Sequence, residues 1–321
     1  MSKTNYVLEL EKPLISLMKQ IEELERSSVA GNYDDAIARL KNEFYQLKNR
    51  IYANLDAHQK LQIARHPQRP YTLDFVKYLG QNWIELHGDR AGHDDGAIVG
   101  GLLELEANLT VLVVGNNKGR DIKEKQKCNF GMPQPTGYAK ALRLFRHANN
   151  FGFPIITLID TPGAYPGLEA EALGQSRAIA HNIQEMFNLE VPIISVITGE
   201  GGSGGALALA VANKVLMFEH SVYSVISPEG CAAILWRTRE KSAEAAKALK
   251  ITAQDLLELK LIDEIITEPS GGSHNSVEEI SANLKKTLLQ NLKELMNLKP
   301  FELKEKRRDK FRNFGVFEEN I

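Results

Sequence analysis

A run of glycines between an apolar strand pattern and a small-residue helix pattern constrains this chain most. Residues 192–198, Pro-Ile-Ile-Ser-Val-Ile-Thr, are typical of a buried strand. Residues 199–205, Gly-Glu-Gly-Gly-Ser-Gly-Gly, form a turn, and residues 206–213 are small and apolar enough for a tightly packed helix. A strand that enters a helix through glycines presents N–H groups without intrahelical partners, which attract negative charge. We therefore predict an oxyanion site in this turn.

The same glycines also fit the dinucleotide fingerprint. Gly199, Gly201 and Gly204 have its spacing, and Glu219 follows at about the distance expected of a ribose-binding acid. A fingerprint normally opens its domain, however, and is followed by a full crossover helix. The turn lies deep in this chain, which disfavours that interpretation.

A nucleophile elbow is a second alternative. Gly201, Ser203 and Gly205 match its spacing, and Asp263 and His274 follow in the order that a serine hydrolase of this type requires. The turn has five glycines where an elbow needs two, and His274 lies in a loose Gly/Ser loop. Hydrolase chemistry is therefore disfavoured as well.

In the interpretation that we favour, the glycines serve as backbone donors, because bare glycines let a substrate carbonyl approach the N–H groups closely. A purely structural crossing of strand and helix is the alternative. Two further special turns follow strand patterns, at residues 160–167 and 226–230. Three such turns in one core favour a built site.

Composition limits the other functional classes. The chain has 321 residues, is 43% hydrophobic and 25% charged, and carries a net charge of −2, as an ordinary globular protein does. That balance gives no reason to expect a nucleic-acid or membrane-surface site. Cys128 and Cys231 are far apart and outside any CxxC pattern, which argues against a zinc ribbon and a disulfide framework. With no signal-peptide pattern and no run able to cross a bilayer, we predict a cytoplasmic protein.

Residues 1–60 carry two helical stripes of apolar residues. Gly31 and Asn32 separate the stripes, and Asp34 is a plausible cap for the second helix. The pattern fits a hairpin outside the main core, suited to partner contacts, and equally two helices that pack on their own domain. The stripes are Leu14, Leu17, Ile21 and Leu24, and then Ile37, Leu40, Phe44, Leu47 and Ile51.

From residue 96 onward, strand patterns alternate with helix patterns, which predicts an α/β core with mainly parallel strands. Ligands of such sheets bind at the carboxyl ends of the strands. His66 is predicted to be structural, and the basic run 304–312 to be a solvated helix face. Further strands are predicted at 97–103, 109–115, 154–160, 215–218, 223–227 and 261–266. Helices are predicted after Thr72 (its cap, with Phe75, Leu79 and Trp83 on one side), from Pro135, over 170–188, from Pro228, after Thr252 and from Val277.

Five motifs taken in order resemble one known family, the carboxyltransferase alpha subunit of bacterial acetyl-CoA carboxylase. The likeness extends to about residue 300 and implies a ClpP/crotonase-like α/β spiral of ββα units. It divides the chain into an N-terminal helical region (1–60), a crotonase-type carboxyltransferase domain (61–300) and a basic helical tail (301–321). The motifs are Arg-His-Pro-Gln-Arg-Pro-Tyr-Thr (65–72), Asn-Phe-Gly-Met-Pro (129–133), Asp-Thr-Pro-Gly-Ala-Tyr-Pro-Gly (160–167), Gly-Glu-Gly-Gly-Ser-Gly-Gly-Ala (199–206) and Tyr-Ser-Val-Ile-Ser-Pro-Glu-Gly (223–230).

The resemblance implies transfer of a carboxyl group from carboxybiotin, held on a biotin carboxyl carrier protein, to acetyl-CoA. Malonyl-CoA for fatty acid synthesis would be the product. It also implies a carboxyltransferase beta subunit that bears the zinc ribbon, in an α2β2 assembly, and biotin carboxylase as a further partner. The alpha chain itself would hold no metal.

Site residues follow from the same resemblance. The backbone of Gly204, Gly205 and Ala206 would hold the biotin oxygen, and Tyr165 could pack on biotin. Lys118, Arg120 and Lys123 are possible contacts to CoA phosphates or to the partner. The remaining predicted substrate-binding residues are Gly163, Ala164, Tyr165, Gly201, Gly202, Ser227, Glu229 and Gly230.

Two other functions remain open at the level of sequence. A crotonase-type acyl-CoA enzyme that works without biotin would be active without a beta chain. A scaffold protein on an enzyme-like core would use the glycine turn only for packing.

Overall fold

A computed structural model describes residues 7–27 and 33–315, and one mixed sheet organises them. The order of the sheet is β1-β2-β3-β4-β5-β6-β8, with β7 paired to the end of β5. The first two pairings are antiparallel and the others are parallel. The strands are β1 (Gln81–Glu85), β2 (Ile98–Glu106), β3 (Leu109–Asn116), β4 (Ile155–Thr161), β5 (Ile193–Gly202), β6 (Lys214–Phe218), β7 (Val222–Ser224) and β8 (Glu264–Ile266).

Helices cover both faces of the sheet, which is why the central strands are continuous apolar runs. All seven residues of β4 are buried. The described helices are α1 (Lys12–Ser27), α2 (Asp34–Ala53), α3 (Ala57–Ala64), α4 (Thr72–Leu79), α5 (Ile122–Lys127), α6 (Pro135–Phe151), α7 (Leu168–Ala172), α8 (Gln175–Met186), α9 (Ser203–Leu207), α10 (Pro228–Trp236), α11 (Ser242–Ala248), α12 (Ala253–Glu258), α13 (Val277–Met296) and α14 (Pro300–Arg312).

Alternate residues of the central strands supply two separate cores. Ile193 and Ile197 of β5 belong to the core that includes Leu144 and Phe145 of α6. Ile194 and Val196, which point to the other face, belong to the core built with α4 and α13. The sheet is thus fixed from both sides, and the loops at the carboxyl ends of its strands are left to form a site.

The N-terminal helices pack partly on the domain. Leu14 and Tyr52 share a cluster with Ile63 of α3, and the Tyr52 hydroxyl donates to Glu11 Oε1 at 2.6 Å. The predicted turn at residues 31–32 lies outside the described residues. Asp34 does not cap α2 but is its first residue, and Tyr33 is the N-cap.

Some predicted helix limits are wrong for identifiable reasons. The helix expected over 206–213 is only α9, because the carbonyl of Leu209 accepts from the hydroxyls of Thr157 (2.7 Å) and Ser195 (3.0 Å) instead of continuing a helix. The helix expected over 170–188 is divided into α7 and α8 at Gly174, which has a left-handed conformation with φ of 81°.

The region around Thr72 also differs from prediction. Tyr71 is the N-cap of α4, and the Thr72 hydroxyl instead donates to the carbonyl of Asn116 at 2.8 Å. Trp83 lies in β1 rather than on α4. The helix ends earlier than its apolar spacing indicates because the chain enters the sheet at Gln81.

The basic segment near the C-terminus is not simply a solvated face. Arg307 of α14 is fully buried and donates to the carbonyls of Met186, Leu189 and Val191 and to Oδ1 of Asn213. Its side chain ties α14 to the loop before β5 and to the loop before β6. The domain limits at 60 and 300 stay predictions.

Candidate active site where three turns meet

The glycine turn extends the end of β5 and lies between two other chain segments. Thr161 of β4 is in register with Gly201, and β7 pairs with residues 200–202 on the other side. The turn therefore meets the loop after β4 and the segment that leads into α10. These are the three turns that the sequence marked as special.

Several glycines are required by close packing between the first two turns. A Cβ on Gly202 would clash with the carbonyl of Pro162, and a Cβ on Gly205 would lie 2.6 Å from the carbonyl carbon of Gly163 and 2.9 Å from the Tyr138 hydroxyl. The structural explanation is thus correct for Gly202 and Gly205. It does not explain Gly204, where a Cβ would meet nothing closer than Ile179 Cγ2 at 3.6 Å.

Donor groups are available at the start of α9. With Gly202 as the N-cap, the N–H groups of Ser203, Gly204 and Gly205 lie in the first turn, where a helix offers them no carbonyl. Ala206 is the first residue whose N–H can reach a carbonyl in this turn, so it is the weakest of the three predicted donors. A helix of five residues adds little macrodipole, and the attraction for an anion depends on the N–H groups themselves.

Two spaces open beside these donors. A narrow cleft of about 30 Å³ is lined by Gly201, Gly202, Pro162, Ser227 and Pro228, among others. A larger groove of about 460 Å³ runs past Ser203 and Gly204, and its other lining residues are Leu207, Ala210, Val215, Tyr223, Ser224, Val225, Leu249, Leu256, Leu261, Phe311 and Phe314. Among residues 7–27 and 33–315, those that line this groove have no charged side chain, which suits an apolar ligand.

The predicted residues of the loop after β4 lie against the glycine turn. Gly163 is buried with φ of 147°, and its carbonyl accepts from the Thr161 hydroxyl at 2.8 Å. The backbone N of Ala164 lies against Gly205. Tyr165 is half-buried and donates its N–H to the carbonyl of Pro133 at 3.0 Å, so the turn is fixed at both ends.

The residues at the start of α10 have structural partners of their own. Ser227 caps the helix by accepting from the N–H of Gly230 at 3.1 Å, and Glu229 pairs with Arg65 Nη1 at 2.6 Å. Ser227 still lines the narrow cleft. Glu229 and Gly230 are not among the residues that line the two spaces described above, and their polar groups already have partners within the protein.

The predicted phosphate contacts are mostly engaged inside the protein. Lys118 lies 2.6 Å from Asp160 Oδ1. Arg120 donates to the carbonyl of Arg69, pairs with Asp74 and lies over the Tyr71 ring. These contacts disfavour a phosphate role for both cations. Lys123 is exposed on α5 and stays a predicted contact.

Sequence reasoning missed a buried set of charges behind the turn. Lys118 contacts Asp160 and also Glu200 Oε1 at 3.2 Å, and Arg65 Nε contacts Glu200 Oε2 at 2.7 Å. The sequence did contain a signal for these buried charges, because Glu200 is a charged residue within a glycine turn and Asp160 is a charged residue at the end of a buried strand. Their pairing could not be read from positions so far apart in the chain.

This arrangement keeps buried groups ionised. Burial alone would raise the pKa of Glu200, but Lys118 and Arg65 outweigh it and hold that pKa below its usual range. Burial would lower the pKa of Lys118, but Asp160 and Glu200 outweigh it and raise that pKa. The turn is thus backed by fixed charges rather than by groups that exchange protons near neutral pH.

The elbow and fingerprint alternatives fail on geometry. Asp263 accepts from the N–H of Val215 and pairs with Lys310, while His274 stacks on His66 at 3.8 Å. Glu219 accepts from the N–H of Glu268. These side chains are held by partners away from the glycine turn, so neither a Ser203 triad nor a ribose site is assembled. His66 is buried in that ring stack, consistent with its predicted structural role.

The described residues offer no metal site: residues 7–27 and 33–315 contain no group of three or more His, Cys, Asp or Glu side chains placed to hold a metal. Cys128 and Cys231 are both buried thiols without a disulfide. Of the helices described, none combines the length and apolar character needed to cross a membrane.

Two solved structures illustrate the likeness of fold. The 12S core of transcarboxylase, with methylmalonyl-coenzyme A and methylmalonic acid bound, matches with a TM-score of 0.59 and 18% identity over 73% of this chain and 44% of that one. A Pseudomonas malonate decarboxylase hetero-tetramer in complex with coenzyme A matches with a TM-score of 0.59 and 16% identity over 73% of this chain and 91% of that one. The predicted crotonase-type fold is confirmed by this likeness.

Sequence comparison identifies much closer relatives. The acetyl-coenzyme A carboxylase carboxyl transferase subunit alpha of Crocosphaera subtropica is 51% identical over 99% of this chain and 96% of that protein. The subunit of the same name from Prochlorococcus marinus subsp. pastoris is 53% identical over 98% of this chain and 94% of that protein. The model of the acetyl co-enzyme A carboxylase carboxyltransferase-like family matches residues 7–315. The chain therefore belongs to the acetyl co-enzyme A carboxylase carboxyltransferase family, among its alpha subunits.

Proposed function

We propose that this chain is the alpha half of a biotin-dependent carboxyltransferase that moves a carboxyl group from carboxybiotin on a carrier protein to acetyl-CoA, forming malonyl-CoA. The observation that carries the proposal is the position of Gly204. It presents a first-turn N–H, leaves room where a side chain would stand, and borders an uncharged groove.

The residues present fit biotin, whose ring system is compact and largely apolar and whose ureido oxygen is the polar end. The open face at Gly204 is a cradle that a larger residue would fill, and the described residues that line the groove beyond it, Leu207, Tyr223 and Phe314 among them, carry no charge. When bound there, biotin would bring the carboxyl group that is transferred.

The chain's own contribution is to bind and orient. The N–H groups of Gly204 and Gly205 would stabilise negative charge on an oxygen that enters the turn, and loss of one such donor typically raises a barrier by about 3 kcal/mol. Gly163 and Ala164 hold Gly205 in place by direct packing. Ser227 would close the third side of the cleft.

A partner is needed to complete this site. We propose a carboxyltransferase beta subunit that carries the zinc ribbon and the matching donors for the thioester oxygen, in an α2β2 assembly, together with a biotin carboxyl carrier protein and biotin carboxylase. The absence of a CxxC pattern from this sequence supports placing the zinc on the partner. A cytoplasmic location also stays a prediction.

The first experiment is malonyl-CoA decarboxylation with biotin methyl ester as carboxyl acceptor. The chain is tested alone and after reconstitution with a beta subunit. Turnover in the mixture only is expected. Turnover by the chain alone would instead support a self-sufficient crotonase-type enzyme, and a folded complex without turnover would support the scaffold function.

A second experiment tests the groove. In the reconstituted complex, Phe314→Ala is expected to raise KM for biotin methyl ester several-fold and to leave KM for malonyl-CoA unchanged, because Phe314 lines the groove. Phe301→Ala is the matched control, since Phe301 belongs to the same C-terminal region but is 71% exposed. A rise in KM for malonyl-CoA alone would place the acyl-CoA in the groove and contradict the assignment.

A further inference from the structure

Five charged side chains form a continuous series of ion pairs behind the glycine turn. Lys118 Nζ lies 2.6 Å from Asp160 Oδ1 and 3.2 Å from Glu200 Oε1. Arg65 continues the series, with Nε 2.7 Å from Glu200 Oε2 and Nη1 2.6 Å from Glu229 Oε1. We call this set of Lys118, Asp160, Glu200, Arg65 and Glu229 the ion-pair series.

Members of the ion-pair series come from each of the turns that form the site. Asp160 directly precedes the turn that contains Gly163, Glu200 lies in the glycine turn, and Glu229 is in the first turn of α10. Asp160 Oδ1 also accepts from the backbone N–H of Glu200 at 2.8 Å. The position of the glycine backbone is therefore linked directly to the carboxylate of Asp160.

Stability alone does not explain such a group. The side chains of Lys118, Asp160 and Glu200 are 15%, 4% and 11% exposed, so three charges are largely removed from water. Ion pairs of this kind are often no more stabilising than apolar residues of similar volume. What they provide is one defined geometry, because carboxylates that would otherwise repel each other are held by the cation between them.

We propose that Lys118 is a positioning residue for carboxyl transfer: its ammonium holds Asp160 and Glu200 together and so fixes the glycine turn against the turn at Gly163. This inference rests on the proposed function, because the exact place of the Gly204 and Gly205 N–H groups matters only if they stabilise charge on a substrate.

The pH dependence of a Lys118→Met variant distinguishes positioning from simple packing. Without the ammonium, the two carboxylates repel each other unless one of them is protonated, so the turn is expected to be held less firmly at high pH than at low pH. The other groups that face this pair are the Tyr71 phenol, the Arg65 guanidinium and, through Arg65, Glu229. Arg120 lies over the Tyr71 ring, with Cζ 4.0 Å from the ring centroid.

The experiment uses the reconstituted complex and follows malonyl-CoA decarboxylation with biotin methyl ester. For Lys118→Met we expect kcat to fall on the order of a hundredfold, as for a small misplacement of catalytic groups, while KM for malonyl-CoA is unchanged. The residual kcat is expected to rise towards acid pH, unlike that of the wild type. Hydrogen exchange of a peptide that spans residues 199–207 is expected to become faster.

Lys140→Met is the matched control. Lys140 is also a buried lysine, 2% exposed, and it pairs with Asp94 Oδ1 at 2.5 Å and donates to the carbonyl of Ile98. Its loss removes an ion pair that does not involve the glycine turn, between the buried Lys140 and Asp94, whose side chain is 43% exposed. It is expected to lower the thermal midpoint but not to change the pH profile or the exchange of residues 199–207.

The double variant Lys118→Met/Glu200→Gln removes the repulsion between the Asp160 and Glu200 carboxylates and is expected to recover part of kcat.

If Lys118→Met does not fold, Arg65→Met tests the same ion-pair series at its other cation. The Arg65 side chain is 34% exposed, and a smaller fall in kcat is expected. The inference is overturned if the Lys118 or Arg65 variant folds and keeps the wild-type kcat. It is also overturned if kcat falls only as much as in Lys140→Met and the pH profile does not change. A wild-type complex without turnover would instead contradict the proposed function.

Discussion

Arg69 and Glu268 form a bidentate ion pair in the interior, with Nη2–Oε1 at 2.6 Å and Nη1–Oε2 at 3.1 Å. Their side chains are 1% and 0% exposed. Arg69 Nε also donates to the carbonyl of Thr198 at 2.6 Å, the residue directly before the glycine turn. The pair thus anchors β5 at Thr198 to the loop after β8, through an arginine that precedes Glu268 by almost 200 positions in the chain.

Removal of Arg69 is expected to destabilise the protein strongly. Arg69→Met leaves the Glu268 carboxylate buried without its cation, which should lower the free energy of unfolding by about 3–5 kcal/mol. Urea denaturation of the purified chain measures this. Lys241→Met is the control, because Lys241 and Glu244 form an exposed pair whose loss should cost less than about 0.5 kcal/mol. Similar small effects from both variants would contradict the expectation.

Alanine should be accepted at Gly204 and rejected at Gly205. A Cβ on Gly204 has ordinary contact distances, whereas one on Gly205 overlaps the backbone at Gly163 and Ala164. Gly205→Ala is expected to lower the thermal midpoint and Gly204→Ala to leave it nearly unchanged, with overpacking worth about 1–3 kcal/mol. Equal midpoints would show that the two turns are not in the close contact described. Gly205→Val, the larger substitution, would displace the turn and cannot test the donors alone.

The hydrogen bonds of the Arg307 guanidinium should be needed for the C-terminal helix α14 to pack on the rest of the domain. Arg307→Ala leaves the buried carbonyls of Met186, Leu189 and Val191 without their donor, and unfolding free energy should fall by about 3 kcal/mol. Arg312→Ala is the control, since that side chain is 75% exposed. Chemical denaturation of both variants provides the comparison, and an unaffected Arg307→Ala protein would mean that α14 is not held through this residue.

Acid should destabilise the protein through His274. Burial, with the nearby charges of His66 and Arg69, lowers the pKa of His274 from 6.5 to about 3. The unfolded chain therefore binds this proton more readily between those values, so stability is full above about pH 6.5 and falls as the pH drops towards 3. The buried Nδ1 of His274 has no hydrogen-bond partner within the described part of the chain, which makes a ring without nitrogen acceptable there.

His274→Phe should consequently make the dependence of unfolding free energy on pH shallower in this range. His147→Phe is the control, because His147 packs on the Phe151 ring and takes part in none of the ion pairs of the described residues, and it should leave the slope unchanged. Urea denaturation across the pH series provides the measurement. A slope unaffected by His274→Phe would assign the acid sensitivity to other groups.

Local patterns predicted many of the elements well. Thr252 caps α12 through the N–H of Asp255, and α13 buries Ile280, Leu284, Leu288 and Leu292 on one face as its spacing indicates. These features depend on residues three or four positions apart, which a helix brings together whatever its surroundings. Ala139 is an exception, since its spacing from Leu142 and Phe145 predicts a place on the buried face of α6, and it is exposed.

The sequence by itself determined the alternation of strands and helices, the family and the three turns that meet at the site, because each depends on contiguous residues and on glycines whose backbone freedom is intrinsic. Only the tertiary structure decided what the charges do. Lys118 is a buried partner of Asp160 and Glu200 rather than a solvated cation, and Arg307 is buried in a segment whose composition is that of an exposed face. The reason is physical: a charge becomes tolerable in the interior only when folding brings partners from distant positions within a few ångströms, and no local pattern records that distance.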